Sequence, residues 1–225
     1  MEFKIEGRYP VLRCFLNKGE SMVTSAGNMS WMTPHFKYNA KTGGIMKGLA
    51  RTFTGEKMFR NIYTATEDNQ EIAFASSLPG QIKHIKMQGQ TLIAQKTAFL
   101  ASTIGVSFAT VFTKKFTAGL LGGEGFILQK FSGHGDLFLE ADGSLISYEL
   151  GANESILVDQ GHVYLFDESV RYGVETVKGF KNIFFGGEGL FLVKLTGPGR
   201  VVLQTMPISN LAQQIVPFVP SINNK

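Results

Sequence analysis

The sequence contains a single cysteine, Cys14, among its 225 residues. One thiol cannot form an intrachain disulfide or a thiolate metal cage, so both are excluded. No apolar run approaches the roughly 20 residues that a membrane-spanning helix needs. The first residues also lack the basic and apolar segments of a secretory signal. These absences predict a cytoplasmic protein.

Charged residues are also scarce, at 18% of the chain against 44% hydrophobic residues. That balance favours a folded core over disorder. The net charge is +4, but the 22 lysines and arginines are scattered along the chain. A nucleic-acid footprint would be a basic stripe with interleaved aromatic residues. The charge pattern therefore favours a mildly basic solvated surface and disfavours nucleic acid as a partner.

Glycine and phenylalanine are abundant, at 26 and 19 residues, beside seven prolines and one tryptophan. This mixture favours many short strands joined by tight turns over helices. Apolar runs at residues 126–131 and 190–195 follow glycines, and the runs at 137–139 and 201–203 have the pattern of returning strands. A Gly-x-Gly sequence lies between the two runs and predicts a hairpin loop with positive φ.

One segment of the chain recurs after 64 residues. Residues 122–139 align with residues 186–203, and nine of the 18 positions are identical. The same offset pairs residues 91–94 with 155–158, while residues 20–23 mark a more diverged first copy. A fixed period of this size predicts fused copies of one supersecondary unit.

The repeat sets the predicted domain boundaries. We expect three β repeats, at residues 1–80, 81–143 and 144–206, and the first contains a glycine-containing insertion near residues 39–53. Leu78-Pro79-Gly80 and Asp142-Gly143 supply turn chemistry at the two joins.

Residues 207–225 form a predicted helical tail. Ser209 is expected to cap a helix over residues 210–216, with Leu211 and Ile215 on one face, before Pro217 ends it. A helix this short is not stable alone. We therefore expect the tail to dock, either on its own chain or on a second copy.

A set of short motifs carries a resemblance to a known family. The motifs are Gly19-Glu20-Ser21, Ala26-Gly27-Asn28-Met29, Gly55-Glu56, Leu78-Pro79-Gly80, Ala98-Phe99-Leu100-Ala101, residues 122–126, residues 186–190, Thr196-Gly197-Pro198-Gly199 and Leu203-Gln204-Thr205. As an ensemble, over about residues 10–220, they resemble the uncharacterised bacterial branch of the Altered Inheritance of Mitochondria twenty-four family.

The resemblance implies a triplicated all-β fold like that of the tryptophan RNA-binding attenuation protein. In that fold, three tandem repeats of double-stranded β-helix or sandwich-like type are arranged with pseudo-threefold symmetry, here followed by the short C-terminal helix. The mitochondrial relatives are linked to inner-membrane organisation. The family brings no established catalytic residues, so none is assigned.

The sharpest repeated feature is a glycine–glutamate motif of candidate functional interest. Its residues are Gly55, Glu56, Gly122, Gly123, Glu124, Gly125, Gly186, Gly187, Glu188 and Gly189. A phosphate loop would need a Lys-Ser/Thr pair at the start of a helix, whereas Phe126 and Leu190 begin strands. A tight turn is therefore favoured. If the three glutamates converge, they could bind a cation or raise one another's pKa. We favour the alternative, in which each caps local backbone N–H groups or lies at a separate turn.

The histidines do not form a metal-binding pattern. His35, His84, His134 and His162 are far apart, whereas a cupin-type site needs two close histidines, a glutamate and a third histidine. A Gly-x-Ser-x-Gly nucleophile elbow is also missing. We predict no metal, no cofactor and no enzymatic activity.

The segment at residues 45–53 has two interpretations. Its apolar side chains would share one face of a short helix. That face would either contact a membrane surface or a partner, or fold as a flap over the core of the first repeat. We favour the flap.

The sequence thus predicts a non-enzymatic binding or scaffolding module that forms a homo-oligomer and could also bind a protein partner. The alternative is a small-ligand or RNA-binding protein, by analogy with the attenuation protein. An RNA binder should repeat lysines at matched positions in all three copies, and only Lys130 with Lys194 and Lys114 with Lys178 do so.

Overall fold

A computed structural model describes residues 1–42, 59–111, 127–176 and 191–219. The described chain is mostly β, with one short α-helix near its C-terminal end. The predicted all-β class and terminal helix are confirmed at this level. The chain divides into two compact units. The first holds the described residues up to Val111 together with residues 127–141, and the second holds those from Asp142 onward.

The strands of the first unit are short, apart from the last. They are β1 (Glu2–Glu6), β2 (Val11–Leu16), β3 (Ser21–Ser25), β4 (Trp31–Met32), β5 (Phe36–Thr42), β6 (Phe59–Ala65), β7 (Gln70–Ala75), β8 (Gly80–Gln88), β9 (Leu92–Gln95), β10 (Phe99–Thr103), β11 (Val106–Val111) and β12 (Leu128–Asp142). One sheet has the order β1-β2-β7-β4, and a second contains β5-β6-β3-β10-β12. Strands β8, β9 and β11 also pair with β12.

Alternation along β2 shows how the sequence orients the first sheet. Leu12, Cys14 and Leu16 are fully buried, whereas the residues between them are partly exposed. Successive side chains of a strand point to opposite faces, so one face of β2 is committed to the core. That core is Leu12, Cys14, Leu16, Met22, Tyr63, Ala65, Ile72, Phe74, Ile82, Leu100, Ala101 and Phe138.

Strand β12 corrects the predicted hairpin. Instead of turning back after Phe131, the chain continues as one strand; its first part pairs with β9 and β11, and residues 137–139 pair with β10. Gly133 and Gly135 do have positive φ. A Cβ on Gly133 would collide with the Gly105 carbonyl, and one on Gly135 with the Thr103 hydroxyl. The glycines therefore let two backbones pass closely.

Within the second unit, the strands pair in two groups of three. Its strands are β13 (Leu145–Leu150), β14 (Ser155–Asp159), β15 (Val163–Asp167), β16 (Arg171–Thr176), β17 (Phe191–Thr196) and β18 (Gly199–Gln204). The sheet orders are β13-β18-β15 and β14-β17-β16. Here too the predicted hairpin is wrong, because β17 and β18 pair with strands of different sheets.

The same order of elements occurs in both units. In the first, β9 is followed by a 3-10 turn at Lys96–Ala98 and then by β10. In the second, β14 is followed by a 3-10 turn at Gln160–His162 and then by β15. Both 3-10 turns, and both strands that follow them, are offset by 64 residues, as the sequence alignment is.

The helix of the C-terminal tail differs from its prediction in its start and in its cap. Helix α1 spans Ile208–Ile215, and its N-cap is Pro207 rather than Ser209. The Ile208 N–H donates to Asp142 Oδ2 at 3.1 Å, so a carboxylate from outside the helix replaces the predicted serine cap. Among the described residues, no helix has the length and apolar character needed to cross a membrane.

Candidate functional site

The repeated glycine–glutamate motif lies outside the described residues. This applies to every member: Gly55, Glu56, Gly122, Gly123, Glu124, Gly125, Gly186, Gly187, Glu188 and Gly189. The segment at residues 45–53, and residues 43–53 of the predicted insertion, lie outside them as well. Residues 39–42 belong to β5. The roles assigned to these residues stay predictions.

Three of the histidines make separate local contacts. His35 Nδ1 lies 3.2 Å from Glu67 Oε1 on the surface. His162 Nδ1 lies 2.8 Å from the Gln204 carbonyl oxygen. The backbone N–H of His134 donates to the Gly105 carbonyl at 3.1 Å. In the described ranges, no group of three or more His, Cys, Asp or Glu side chains is placed to hold a metal ion.

His84 belongs to a polar cluster in the first unit. Its Nε2 lies 2.8 Å from Asp136 Oδ1, and Lys86 Nζ donates to the same oxygen at 2.9 Å. The His84 ring stacks on Phe138, with centroids 4.6 Å apart. Burial raises the pKa of Asp136, but the hydrogen bonds from Lys86 and His84 outweigh it and hold that pKa below its usual value.

The His84 cluster resembles the acid–base half of a catalytic site, because a carboxylate orients an imidazole. The chain's one thiol does not complete it. Cys14 is fully buried, and burial, with a smaller contribution from the Asp136 charge, raises the pKa of its thiol. A buried thiol of raised pKa is a poor nucleophile. The described contacts fit a structural role, in which the Asp136 carboxylate ties β8 to β12.

A second candidate is the outward face of the sheet β1-β2-β7-β4. We call it the Trp31 surface, and it comprises Lys4, Glu6, Arg13, Phe15, Trp31 and Glu71. The strand register aligns Lys4 with Arg13, Arg13 with Ala73, and Ala73 with Trp31. One row of side chains therefore crosses all four strands on the face opposite the core.

Arg13 is the centre of the Trp31 surface. Its Nε and Nη2 both donate to the Glu71 carboxylate at 2.7 Å, which forms a bidentate pair. Its Nη1 donates to Glu6 Oε2 at 3.2 Å. The hydrogen bonds with Glu71 and Glu6 raise the pKa of Arg13 further, and the bond from Arg13 is the main reason that the pKa of Glu71 is lowered. The bidentate geometry holds the Arg13 guanidinium and the Glu71 carboxylate in fixed orientations.

Two aromatic rings complete the surface. Trp31 is 48% exposed, and its indole N–H donates to Glu71 Oε1 at 3.4 Å. The Phe15 ring has two cations above it, because Lys4 Nζ and Arg13 Cζ each lie 5.1 Å from its centroid. The surface thus combines an exposed indole with a fixed guanidinium, which are the side-chain types that dominate binding energy in protein interfaces.

Sequence reasoning missed the Trp31 surface, although signals for it exist. The run Val-Leu-Arg-Cys-Phe-Leu at residues 11–16 alternates with period two, which places Arg13 and Phe15 on the face away from the core. The chain has one tryptophan. Which strands lie beside β2, however, depends on contacts between residues such as Arg13 and Glu71, which are 58 positions apart.

Comparison with known proteins places the chain in a family. The family model described as mitochondrial biogenesis AIM24 matches residues 3–206, which is most of the chain. The chain belongs to the AIM24 family. The resemblance inferred from the sequence motifs is therefore confirmed. The triplicated attenuation-protein-like fold stays a prediction.

A solved structure shares the fold of this AIM24 family member. It is a protein from Streptococcus pyogenes, determined by crystallography at a structural genomics consortium. The two chains are 21% identical with a TM-score of 0.76, and the match covers 97% of this chain and 99% of the other. At that identity the likeness shows the fold alone. No curated protein matches the chain.

Proposed function

We propose that this AIM24 family member is a non-enzymatic binding or scaffolding module. It holds a protein partner on the Trp31 surface and assembles with copies of itself. The observation that carries the proposal is the row of side chains from Lys4 through Arg13 to Trp31, which lies on a sheet face turned away from the core.

Pre-organisation makes this row suited to binding. Ordering a long side chain at an interface costs about 0.5–1.5 kcal/mol. Arg13 is already held by Glu71 and Glu6, and Trp31 by Glu71, so a partner meets side chains whose positions are set. Both signs of charge are present, which favours a protein surface with its own mixture of polar groups over a polyanion.

The tail supports assembly of copies. Ile215 is 51% exposed, Val216 62%, Phe218 85% and Val219 58%, so the end of the tail carries four exposed apolar side chains among its described residues. Leu211, by contrast, is partly buried. Exposed apolar patches on soluble proteins mark interaction sites. Part of the tail docks on its own chain, and the rest is available to another copy.

We also propose that the chain is a threefold repeat. Strand β6 lies between β3 and β5, the first part of β12 between β9 and β11, and β17 between β14 and β16. The element order at an offset of 64 residues supports the same conclusion. Solution of a crystal structure in which these three groups do not superpose would contradict it.

The alternative function, RNA binding, is less well supported. It relies on matched lysines, and Lys114 and Lys178 lie outside the described residues. Lys194 donates to Glu175 Oε1 at 2.6 Å. A lysine held by a carboxylate contributes less to counterion release, which drives nucleic-acid binding.

Site-specific photo-crosslinking tests the proposed function. A benzoylphenylalanine replaces Trp31 in the full chain, which is expressed in the cells that make the protein naturally. The matched control carries the same residue at Tyr38, an aromatic of similar exposure on β5. We expect a discrete protein adduct at position 31 that is absent at position 38 and is lost with Arg13→Ala. An adduct removed by ribonuclease, or identical adducts at both positions, would contradict the proposal.

A further inference from the structure

The outer edge of β13 is open and apolar. Within the described residues β13 has one neighbouring strand, β18. Two of its large side chains are exposed, Ile146 at 46% and Tyr148 at 42%. An edge strand with free backbone groups is a template for pairing with another chain, and natural proteins cover it or blunt it with charge.

The first unit shows how the corresponding edge is covered. Its sheet β2-β7-β4 has the same form as β13-β18-β15: the middle strand pairs antiparallel with one strand on each side. The free side of β2 carries β1, which pairs antiparallel along its whole length, from Glu2 with Phe15 to Glu6 with Val11. Strand β13 has no such cover among the described residues.

Backbone alternation identifies the groups at the open edge. The Thr205 N–H donates to the Ser144 carbonyl at 3.0 Å, and this pair continues the register of β13 with β18. In an antiparallel ladder, hydrogen-bonded and non-hydrogen-bonded pairs alternate. The backbone groups of Ile146 and Tyr148 therefore point toward β18, and those of Leu145, Ser147 and Glu149 point to the open edge.

We propose that β13 pairs antiparallel with β13 of a second copy, about a twofold axis at Ser147. This deepens the proposed assembly of copies and does not depend on the Trp31 surface. The two Ser147 residues exchange backbone hydrogen bonds, and Leu145 does the same with Glu149 of the other copy. All of these residues have backbone N–H and C=O groups that point to the open edge. The proposed register therefore pairs residues that are free to exchange hydrogen bonds across the axis.

Side chains favour the same register. Ile146 of each copy faces Tyr148 of the other in a non-hydrogen-bonded pair, where side chains are closest. Pairs of an aromatic and a β-branched residue stabilise adjacent strands. Glu149 of each copy lies opposite Leu145 of the other copy, and the two Glu149 residues are not opposite each other. The pairing therefore brings no like charges together. The edge is thus complementary to itself, as a twofold contact requires.

The contact is small, because it joins two strands of six residues each. Interfaces well below about 1,200 Å² form transient complexes. The dimer is therefore expected to be concentration-dependent.

Charge substitutions at the axis test the pairing. Sedimentation velocity of the full chain is measured from dilute to near-millimolar concentration. The wild type is expected to shift from monomer to dimer. Ser147→Lys and Ser147→Asp each place two like charges directly opposite one another, so each is expected to weaken association severalfold. An equal mixture of the two variants should restore the dimer, because the charges across the axis are then opposite.

Controls separate this inference from the proposed function. Ser107→Lys alters an exposed serine of β11 and should leave the sedimentation of the wild type unchanged. Melting temperatures confirm that each variant is folded. A wild type that stays monomeric at every concentration would overturn both the edge pairing and the assembly. Ser147→Lys that still associates, or a mixture that does not recover, would overturn the pairing at Ser147 while leaving the Trp31 surface untouched.

Discussion

The sheets β2-β7-β4 and β13-β18-β15 have the same internal order but different outer edges. On the first, β1 covers β2, and the outward face is fixed by the ion pairs of Arg13. On the second, β13 has no strand on its outer side within the described residues, and Ile146 and Tyr148 are exposed. In the part of the chain that the structure describes, the same strand arrangement is thus covered at its outer edge in one unit and uncovered in the other. The difference suggests that the open edge has a use, since the chain has a means of closing it.

Removing β1, which covers the edge of the first sheet, should give the largest loss of stability. Deletion of residues 1–7 uncovers β2 and removes Phe3, whose ring lies 4.9 Å from that of Phe138 in the core. Loss of a buried phenylalanine alone costs about 3–5 kcal/mol, and Phe3 is partly buried, so we expect a loss of about 3 kcal/mol when the strand pairing is included. Urea denaturation measures it. An unchanged unfolding midpoint would show that β1 is not a structural cover.

Truncation after Met206 tests the tail and should have the second-largest effect on stability. It removes Pro207, which is buried, and Leu211, which is partly buried, together with the bond from Ile208 to Asp142. Such losses of capping and partial burial cost about 1–2 kcal/mol. We expect a lower melting temperature by calorimetry and a lower assembly mass by light scattering. If both stay at the wild-type values, the tail serves neither stability nor assembly.

The ion pairs of the closed sheet should give a pH-dependent contribution. The pKa of Glu71 is lowered in the folded chain, so its stabilisation is complete above its unfolded pKa of about 4.3 and is lost as pH falls through the folded value. Arg13→Ala should remove this part of the pH dependence. At neutral pH it should have only a small effect on stability, since water screens a solvent-exposed ion pair.

Urea midpoints between pH 6 and pH 3 measure this effect. The control variant is Lys194→Ala, which removes the ion pair with Glu175 in the second unit. If the midpoints of Arg13→Ala change with pH in parallel with those of the wild type, the lowered pKa of Glu71 does not depend on Arg13.

The smallest effect on stability is expected at the open edge. Tyr148→Thr keeps a strand-forming residue at an exposed position, and such substitutions change stability by less than about 0.5 kcal/mol. Association should nevertheless weaken, because the pair with Ile146 of the second copy is lost. Sedimentation velocity and thermal melting of the same sample compare the two. A variant that loses stability but not association would reverse the roles assigned to this strand.

The sequence predicted strand positions better than strand partners. The runs at 126–131, 190–195 and 201–203 fall largely within β12, β17 and β18. The hairpins predicted between them are wrong, because positive φ at Gly133 and Gly135 is a local property, whereas partner choice is set by distant strands such as β9 and β10. The helix in the tail was predicted, but its cap was not, since Asp142 lies 66 positions from Ile208.

The candidate site divides in the same way. Repeated glycines and glutamates are visible in an alignment of the chain with itself, so the sequence alone identifies them. The residues of the Trp31 surface, by contrast, come from four strands that are not all consecutive in the sequence. It is recognisable only once β1, β2, β7 and β4 are known to be neighbours.

Burial of Cys14 gives the protein an internal reporter. Thiolate is the form that reacts with alkylating reagents, and the raised pKa and complete burial of this thiol suppress it in the native state. Alkylation therefore proceeds through opening of the first unit, and its rate follows the free energy of that opening. Since the chain has no other cysteine, the rate reports on the first unit alone. A simple mass measurement over time can then follow one unit of the chain without any introduced label.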